Sequence, residues 1–171
     1  MKNINKQQKN NSAFTVLFAV IVSSLILALG LGIVAITMKE VKLSGAGRDS
    51  QLAFYSADSG LECAMYWDLR GDFFATSSDS SPQGIKCNKL ATTTTILPSG
   101  ANSATSTFRM CMGIKGAVGS EVCDDTKPCA DVAVSKVTES GTTTTAIDSR
   151  GYNSCDANNQ RRLERGYRVV Y

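Results

Sequence analysis

The stretch "NNSAFTVLFAVIVSSLILALGLGIVAITMKE", residues 11–40, decides how the whole chain is read. From Ala13 to Met38 it carries no charged residue, and a helix of that length, rising about 1.5 Å per residue, covers the roughly 30 Å hydrocarbon core of a bilayer. The run is therefore a signal to be discarded, a permanent anchor or a working part. An ordinary secretory signal has an apolar core of about 7 to 15 residues followed by a small-residue cleavage site. This one is far longer and runs into charged, helix-compatible sequence, so signal removal is disfavoured and a plain single-span anchor remains open. Lys2, Lys6 and Lys9 precede the run, which favours a cytoplasmic N-terminus; Lys39, Lys42 and Arg48 follow it closely and weaken the asymmetry.

The cysteines give a firmer orientation. Cys63, Cys87, Cys111, Cys123, Cys129 and Cys155 all lie after the span. None forms a C-x-x-C pair and the chain has no histidine, so zinc-finger and c-haem readings have no support. Disulfides in an oxidising compartment are the natural reading, and they help a small head with a modest core. The C-terminal part then lies outside. Charge adds little: the first thirteen residues hold three of the 18 basic residues and none of the 15 acidic ones, so the formal +3 belongs to the leader and the rest is neutral. Overall charge thus implies no nucleic-acid or anionic-lipid partner.

The helical pattern does not stop at the end of the apolar run. In "QLAFYSADSGLECAMYWDL", residues 51–69, Ala53, Phe54, Ala57, Leu61, Ala64 and Met65 recur at helical spacing as one stripe. A helix leaving the membrane is expected to continue into the head and present that face to it. Gly30, Gly32, Gly45 and Gly47 are either points where it bends or melts or sites of close helix packing.

A short basic leader, a small residue followed by Phe (Ala13, Phe14), the long apolar helix and the continuation "GRDSQLAFYSADSGLECAMYWD" together resemble the type IV pilins. The segment Arg48, Leu52, Ala53, Phe54, Ser56, Ala57, Asp58 is similar to the "R-x-x-x-L-A-F-x-A-A-E" segment of PilX-like minor pilins; the head is similar only loosely. The resemblance implies a prepilin, cut by a membrane peptidase after Ala13 and N-methylated on Phe14. Gly is usual before the cut, so Ala13 is a small departure. It also implies a fifth mature residue that is usually glutamate and offsets a neighbour's charged N-terminus. Here that residue is Phe18. A buried ammonium without its carboxylate is costly, which favours a minor subunit at a filament tip or in priming; the plainer alternative is that Phe18 is one more apolar anchor residue.

Beyond Trp67 the sequence reads as a head. "RGDFFATSSDSSPQG" (70–84) has the punctuation of a loop, and its Arg70-Gly71-Asp72 triplet is short enough to occur by chance. "TTTTILP" (92–98) and "ATSTFRMCMGI" (104–114) read as strands joined by a turn, as do "DVAVSKV" (131–137) and "TTTTAIDSRGYN" (142–153), with Gly141 supplying positive φ between them. The threonine runs 92–95 and 142–145 are read as strand rather than glycosylated stalk. In "RRLERGYRVVY" (161–171) Leu163, Tyr167, Val169 and Tyr171 alternate with Arg162, Glu164 and Arg168, a half-buried strand. The expected fold is α+β and pilin-like: a leader (1–13), a long helix (14–70, with 14–38 transmembrane) and a disulfide-bonded head (71–171) whose antiparallel sheet of four or five strands packs on the helix. Spacing leaves the cysteine connectivity open. The resemblance implies Cys63–Cys87 and Cys129–Cys155, which leaves Cys111 with Cys123.

Candidate sites are few. Asp124 and Asp125, beside Lys127 in "CDDTKPC", fall short of the six or so oxygens a calcium ion takes and read as a solvated loop. Arg150, Arg161, Arg162, Arg165 and Arg168 form the one basic cluster of the body, a nucleic-acid contact or, with Asp148 and Glu164, a salt-bridged strand. With no histidine, no G-x-S-x-G elbow and no phosphate loop after a strand, no enzyme, cofactor, metal or small-molecule substrate is expected. The expected partners are other pilin subunits through the N-terminal helix, the prepilin peptidase, the pilus assembly platform and the membrane, with DNA or a surface ligand as an added possibility. A permanently anchored binding module and a pseudopilin of a secretion or DNA-uptake system are the other classes left open.

Overall fold

The computed structural model describes residues 11–71, 73–77, 84–88, 90–117 and 121–171. Among these residues one helix, α1 (Asn11–Gly71), is followed by nine strands: β1 (Gly84–Cys87), β2 (Leu90–Thr93), β3 (Thr95–Gly100), β4 (Ser103–Cys111), β5 (Ile114–Lys115), β6 (Val122–Cys123), β7 (Cys129–Glu139), β8 (Thr142–Tyr152) and β9 (Glu164–Val170). All three prolines lie after the helix, so nothing in residues 11–71 removes a backbone donor from it. The chain divides into two units after Ala46. The described part of the first is helix alone. The second holds all six cysteines and, among the described residues, every buried apolar one.

The second unit is a five-stranded antiparallel sheet, ordered β3-β4-β7-β8-β9, against the helical segment that starts at Gly47. The fold class is therefore α+β, one long N-terminal helix and an antiparallel sheet. β7 and β8 pair over eleven residues, Glu139↔Thr142 to Cys129↔Tyr152. Between them Ser140 (φ 51°) and Gly141 (φ 84°) make a two-residue turn with both φ angles positive, the hand that matches strand twist. The threonine run 142–145 is strand; the run 92–95 is not a single one, because Thr94 is buried between β2 and β3.

Ala53, Ala57, Leu61 and Ala64 of the expected stripe are buried, and Leu61 and Ala64 join Phe108, Met110, Ala130, Val132, Val134 and Ile147 in the core. Phe54 is a correction: it is 43% exposed and meets the Tyr167 ring edge-on at 5.1 Å. The stripe turns instead through Ser56 and Gly60, small residues that let the helix backbone approach the sheet. A Cβ at Gly60 would overlap Ser149, Ala130 and Val132; one at Gly151 of β8 would overlap backbone atoms of Ala53 and Ala57. Across this seam Ser149 Oγ donates to the Ala57 carbonyl at 2.7 Å. That carbonyl is already engaged within a helix, so the bond satisfies a buried hydroxyl rather than an orphaned acceptor.

The segment after the helix is not a bare loop. Phe74 is buried and stacks on Phe108 with ring centroids 5.9 Å apart, and the Ala75 amide donates to Ser106 Oγ. The β1–β2 hairpin was not legible as strands, nor was the short β5–β6 pair. Asn88, at φ 51° in the first turn, donates to the Cys111 carbonyl, and Trp67 Nε1 donates to the Lys86 carbonyl, so the hairpin is held to β4 and to the helix. Disulfides join Cys63 to Cys87, Cys111 to Cys123 and Cys129 to Cys155, linking α1 to β1, β4 to β6, and β7 to the segment after β8. The first and third are the pairs the pilin resemblance implied, and the second is the pair those two left over.

Candidate functional site

From Phe14 to Met38 the helix is uncharged on every side. Phe14, Phe18, Leu25, Leu29, Ile33 and Leu43 are all more than half exposed, and the most apolar window, of mean hydropathy 2.7, has none of its residues buried. This is one helix long and apolar enough, by length and composition, to cross a membrane. Two of its hydroxyls are turned onto its own backbone: Ser24 Oγ donates to the Ile21 carbonyl and Thr37 Oγ1 to the Ile33 carbonyl. Such back-bonding lets a hydroxyl sit in hydrocarbon without a free donor. Phe14 and Phe18 are both exposed on this helix. Ala13 is helical, its side chain lies outside the described residues, and so does the leader up to residue 10.

On the sheet face turned away from the helix, alternate residues bear charge. Arg109, Asp131 and Arg150 are register partners across β4, β7 and β8; one row on, Ala133, Asp148 and Arg168 cross β7, β8 and β9. Arg109 grips Asp131 through both nitrogens, Nε at 2.6 Å and Nη2 at 2.8 Å, and this hydrogen bond raises the guanidinium's already high pKa. Arg168 stands 3.8 Å from Asp148, and Arg150 3.9 Å from Glu164. Small Thr107 and Ala133 leave a shallow depression of about 620 Å³ between them. Its arginines face acids, so the surface is polar without a large field of one sign.

The expected nucleic-acid cluster is dispersed by the fold. Arg168 shares the charged face. Arg165 donates from Nε to Ser50 Oγ at 3.0 Å, beside the helix. The Arg162 guanidinium lies 3.8 Å from the Tyr152 ring centroid, a cation–π contact. Arg161 is exposed in the turn before β9, its amide held by Asn159. Arg161, Arg162 and Leu163 precede β9 rather than belonging to it, and within it only Tyr167 and Val169 alternate as half-buried residues with exposed neighbours. Asp124 accepts from the amide and hydroxyl of Thr126, which holds its carboxyl below the usual range, and no group of three or more metal-ligating side chains occurs among the described residues. Arg70 and Gly71 end α1, with Arg70 over the Tyr66 ring, while Asp72 lies outside the described residues.

One buried constellation had not been singled out from sequence. Asp68, one turn past Ala64 on the helix stripe, meets Lys136 of β7 at 2.7 Å, and each side chain is 5% exposed. Tyr171 donates its hydroxyl to the other Asp68 oxygen at 2.8 Å. Burial, then the bond to Asp68, pushes the Tyr171 phenol well above its usual range. Two sequence signals pointed here: Lys136 continues the inward alternation of Val132 and Val134, and Asp68 continues the spacing Ala57, Leu61, Ala64.

No protein-family model, no curated protein and no solved structure matches the chain.

Proposed function

We infer that the chain is a structural subunit of a type IV pilus-like surface filament, held first in the cytoplasmic membrane with its N-terminus inside and its head outside, and later packed into a filament through the apolar half of α1. The observation that carries this reading is an apolar helical segment, from Phe14 to Met38, in which every side chain is exposed. A bilayer covers such a segment, and so do like helices of neighbouring subunits; a filament uses the two in turn. The oxidised head agrees with an outside location. Phe18 in place of an acid favours a minor, tip or priming subunit, because no carboxylate is then supplied to a neighbour's terminal ammonium. A pseudopilin of a secretion or DNA-uptake machine shares this architecture and processing and differs in cargo.

The test is the mass of the intact N-terminus, from membranes and from sheared surface filaments, in cells with and without the prepilin peptidase. An N-methylated Phe14 that disappears with the peptidase is the expected result. An uncut Met1 in every fraction makes the protein a static single-span anchor and ends the filament reading.

A further inference from the structure

Among the described residues the head buries small hydroxyls freely, Ser56, Thr94, Ser106, Thr145, Ser149 and Ser154, but only two charged side chains, Asp68 and Lys136. Their surroundings explain why they meet. Lys136 projects from the helix-facing side of β7, flanked in register by Ala104 of β4 and Thr145 of β8. Tyr171 exchanges backbone hydrogen bonds with Thr145, which carries the β8–β9 pairing to the end of the sheet and brings the phenol to Asp68.

Two opposite charges in such a place pay a desolvation penalty of several kcal/mol per ion, which their mutual attraction does not always recover. The contact here is close yet poorly aligned: Nζ lies 2.7 Å from Oδ1, and Oδ1 has no partner in hydrogen-bonding geometry. A primary amine held against a carboxyl group, with water excluded and a hydrogen-bond donor fixed on the second oxygen, has the parts of an acyl-transfer site. Prepaid proximity of this kind is worth effective concentrations of about 10⁵ to 10⁸ M in well-oriented cases.

We propose that Lys136 and Asp68 condense to an intramolecular amide, joining the last turns of α1 to the central strand β7. Nζ first passes a proton to Oδ1, leaving a neutral amine and a neutral carboxyl group. The amine lone pair then adds to Cγ, and the Tyr171 hydroxyl stabilises the negative charge that develops on Oδ2. A second proton moves from nitrogen to Oδ1, the Cγ–Oδ1 bond breaks and one water leaves. Oδ2 remains as the amide carbonyl. The step is a dehydration and needs no oxidant or second reactant. The product removes both buried charges, and it is insensitive to the reductants that open the three disulfides. It does not depend on the filament reading, since all three residues lie in the second unit.

The experiment uses the full chain, extracted in detergent, then denatured, reduced and alkylated. Its intact mass is measured against whichever N-terminus sequencing finds, and a digest is searched for a branched peptide. The expected result is a mass one water low and a branched peptide carrying Asp68 and Lys136. A chain at full mass, with the two residues in separate linear peptides, overturns the proposal. So does a lost water that maps to a linear peptide, as a cyclised aspartate would give. Lys136→Arg, which keeps the cation, is expected at full mass; a variant that still lost the water would place the link elsewhere and overturn the assignment.

Discussion

A methyl group at residue 151 has nowhere to go, because its position coincides with the Ala53 carbonyl oxygen and the Ala57 amide of α1, backbone atoms that cannot rotate aside. At residue 141 the difficulty is different: the space is open and only the positive φ of 84° resists a side chain. Gly151→Ala is therefore expected to cost about 3 kcal/mol through forced separation of helix and sheet, and Gly141→Ala about 1 kcal/mol through backbone strain. Denaturant midpoints of the two variants check this, and equal losses would mean that the helix approaches the sheet less closely. The phenols make a second residue-scale case. Tyr171 and Tyr152 are both shifted upward, mainly by burial, then by the Asp68 bond for Tyr171 and the Glu164 charge for Tyr152. Folding favours the neutral phenol, so the stability they contribute is complete below the ordinary tyrosine pKa of about 10 and is lost as pH rises beyond it. Absorbance titration of the folded chain should show late phenolate formation, and Tyr171→Phe should remove part of it.

At the scale of elements, the helix end and the β1–β2 hairpin depend on one another. The hairpin is too short to stand alone; it is fastened by Cys63–Cys87, by Trp67 Nε1 to the Lys86 carbonyl and by Asn88 to the Cys111 carbonyl. Replacing Cys63 and Cys87 together by serine removes a cross-link over 24 residues of sequence, and a loss of about 3 kcal/mol is expected from the freed unfolded chain. Amide exchange should localise the loosening to 84–93 and the last turns of α1, leaving the β7–β8 ladder protected. Exchange that rose uniformly would show that the hairpin is an integral part of the core. The long central strands were readable because each alternates cleanly on one buried face. The hairpin was not, since Gly84–Cys87 offers only Ile85 and Cys87 as inward residues and its partner lies in a threonine run.

For the whole molecule, the division after Ala46 separates a helix whose described side chains are all exposed from a unit that holds the buried core. A fragment from Gly47 to Tyr171 is accordingly expected to fold under oxidising conditions and to stay monomeric without detergent, while the full chain needs detergent or a membrane. Size-exclusion chromatography and near-ultraviolet circular dichroism decide it; a fragment that aggregates would show that the apolar half contributes to head folding. The charged face enters at this scale too. It keeps the exposed side of the sheet soluble by pairing arginines with acids across strands, which is why five arginines close in sequence do not make one basic surface.

The sequence by itself determined the apolar span, the one helix, the strand alternation and the small-residue stripe, because each depends on periodicity along a single element. It also carried the resemblance from which the cysteine pairs were chosen. Only the tertiary structure decided where the arginines went, that Phe74 enters the core from an apparent loop, and that Asp68, Lys136 and Tyr171 converge. Those outcomes depend on which strand lies beside which and on how closely a helix backbone approaches a sheet. Such distances join residues 68 and 103 positions apart in the chain, and no local pattern encodes them.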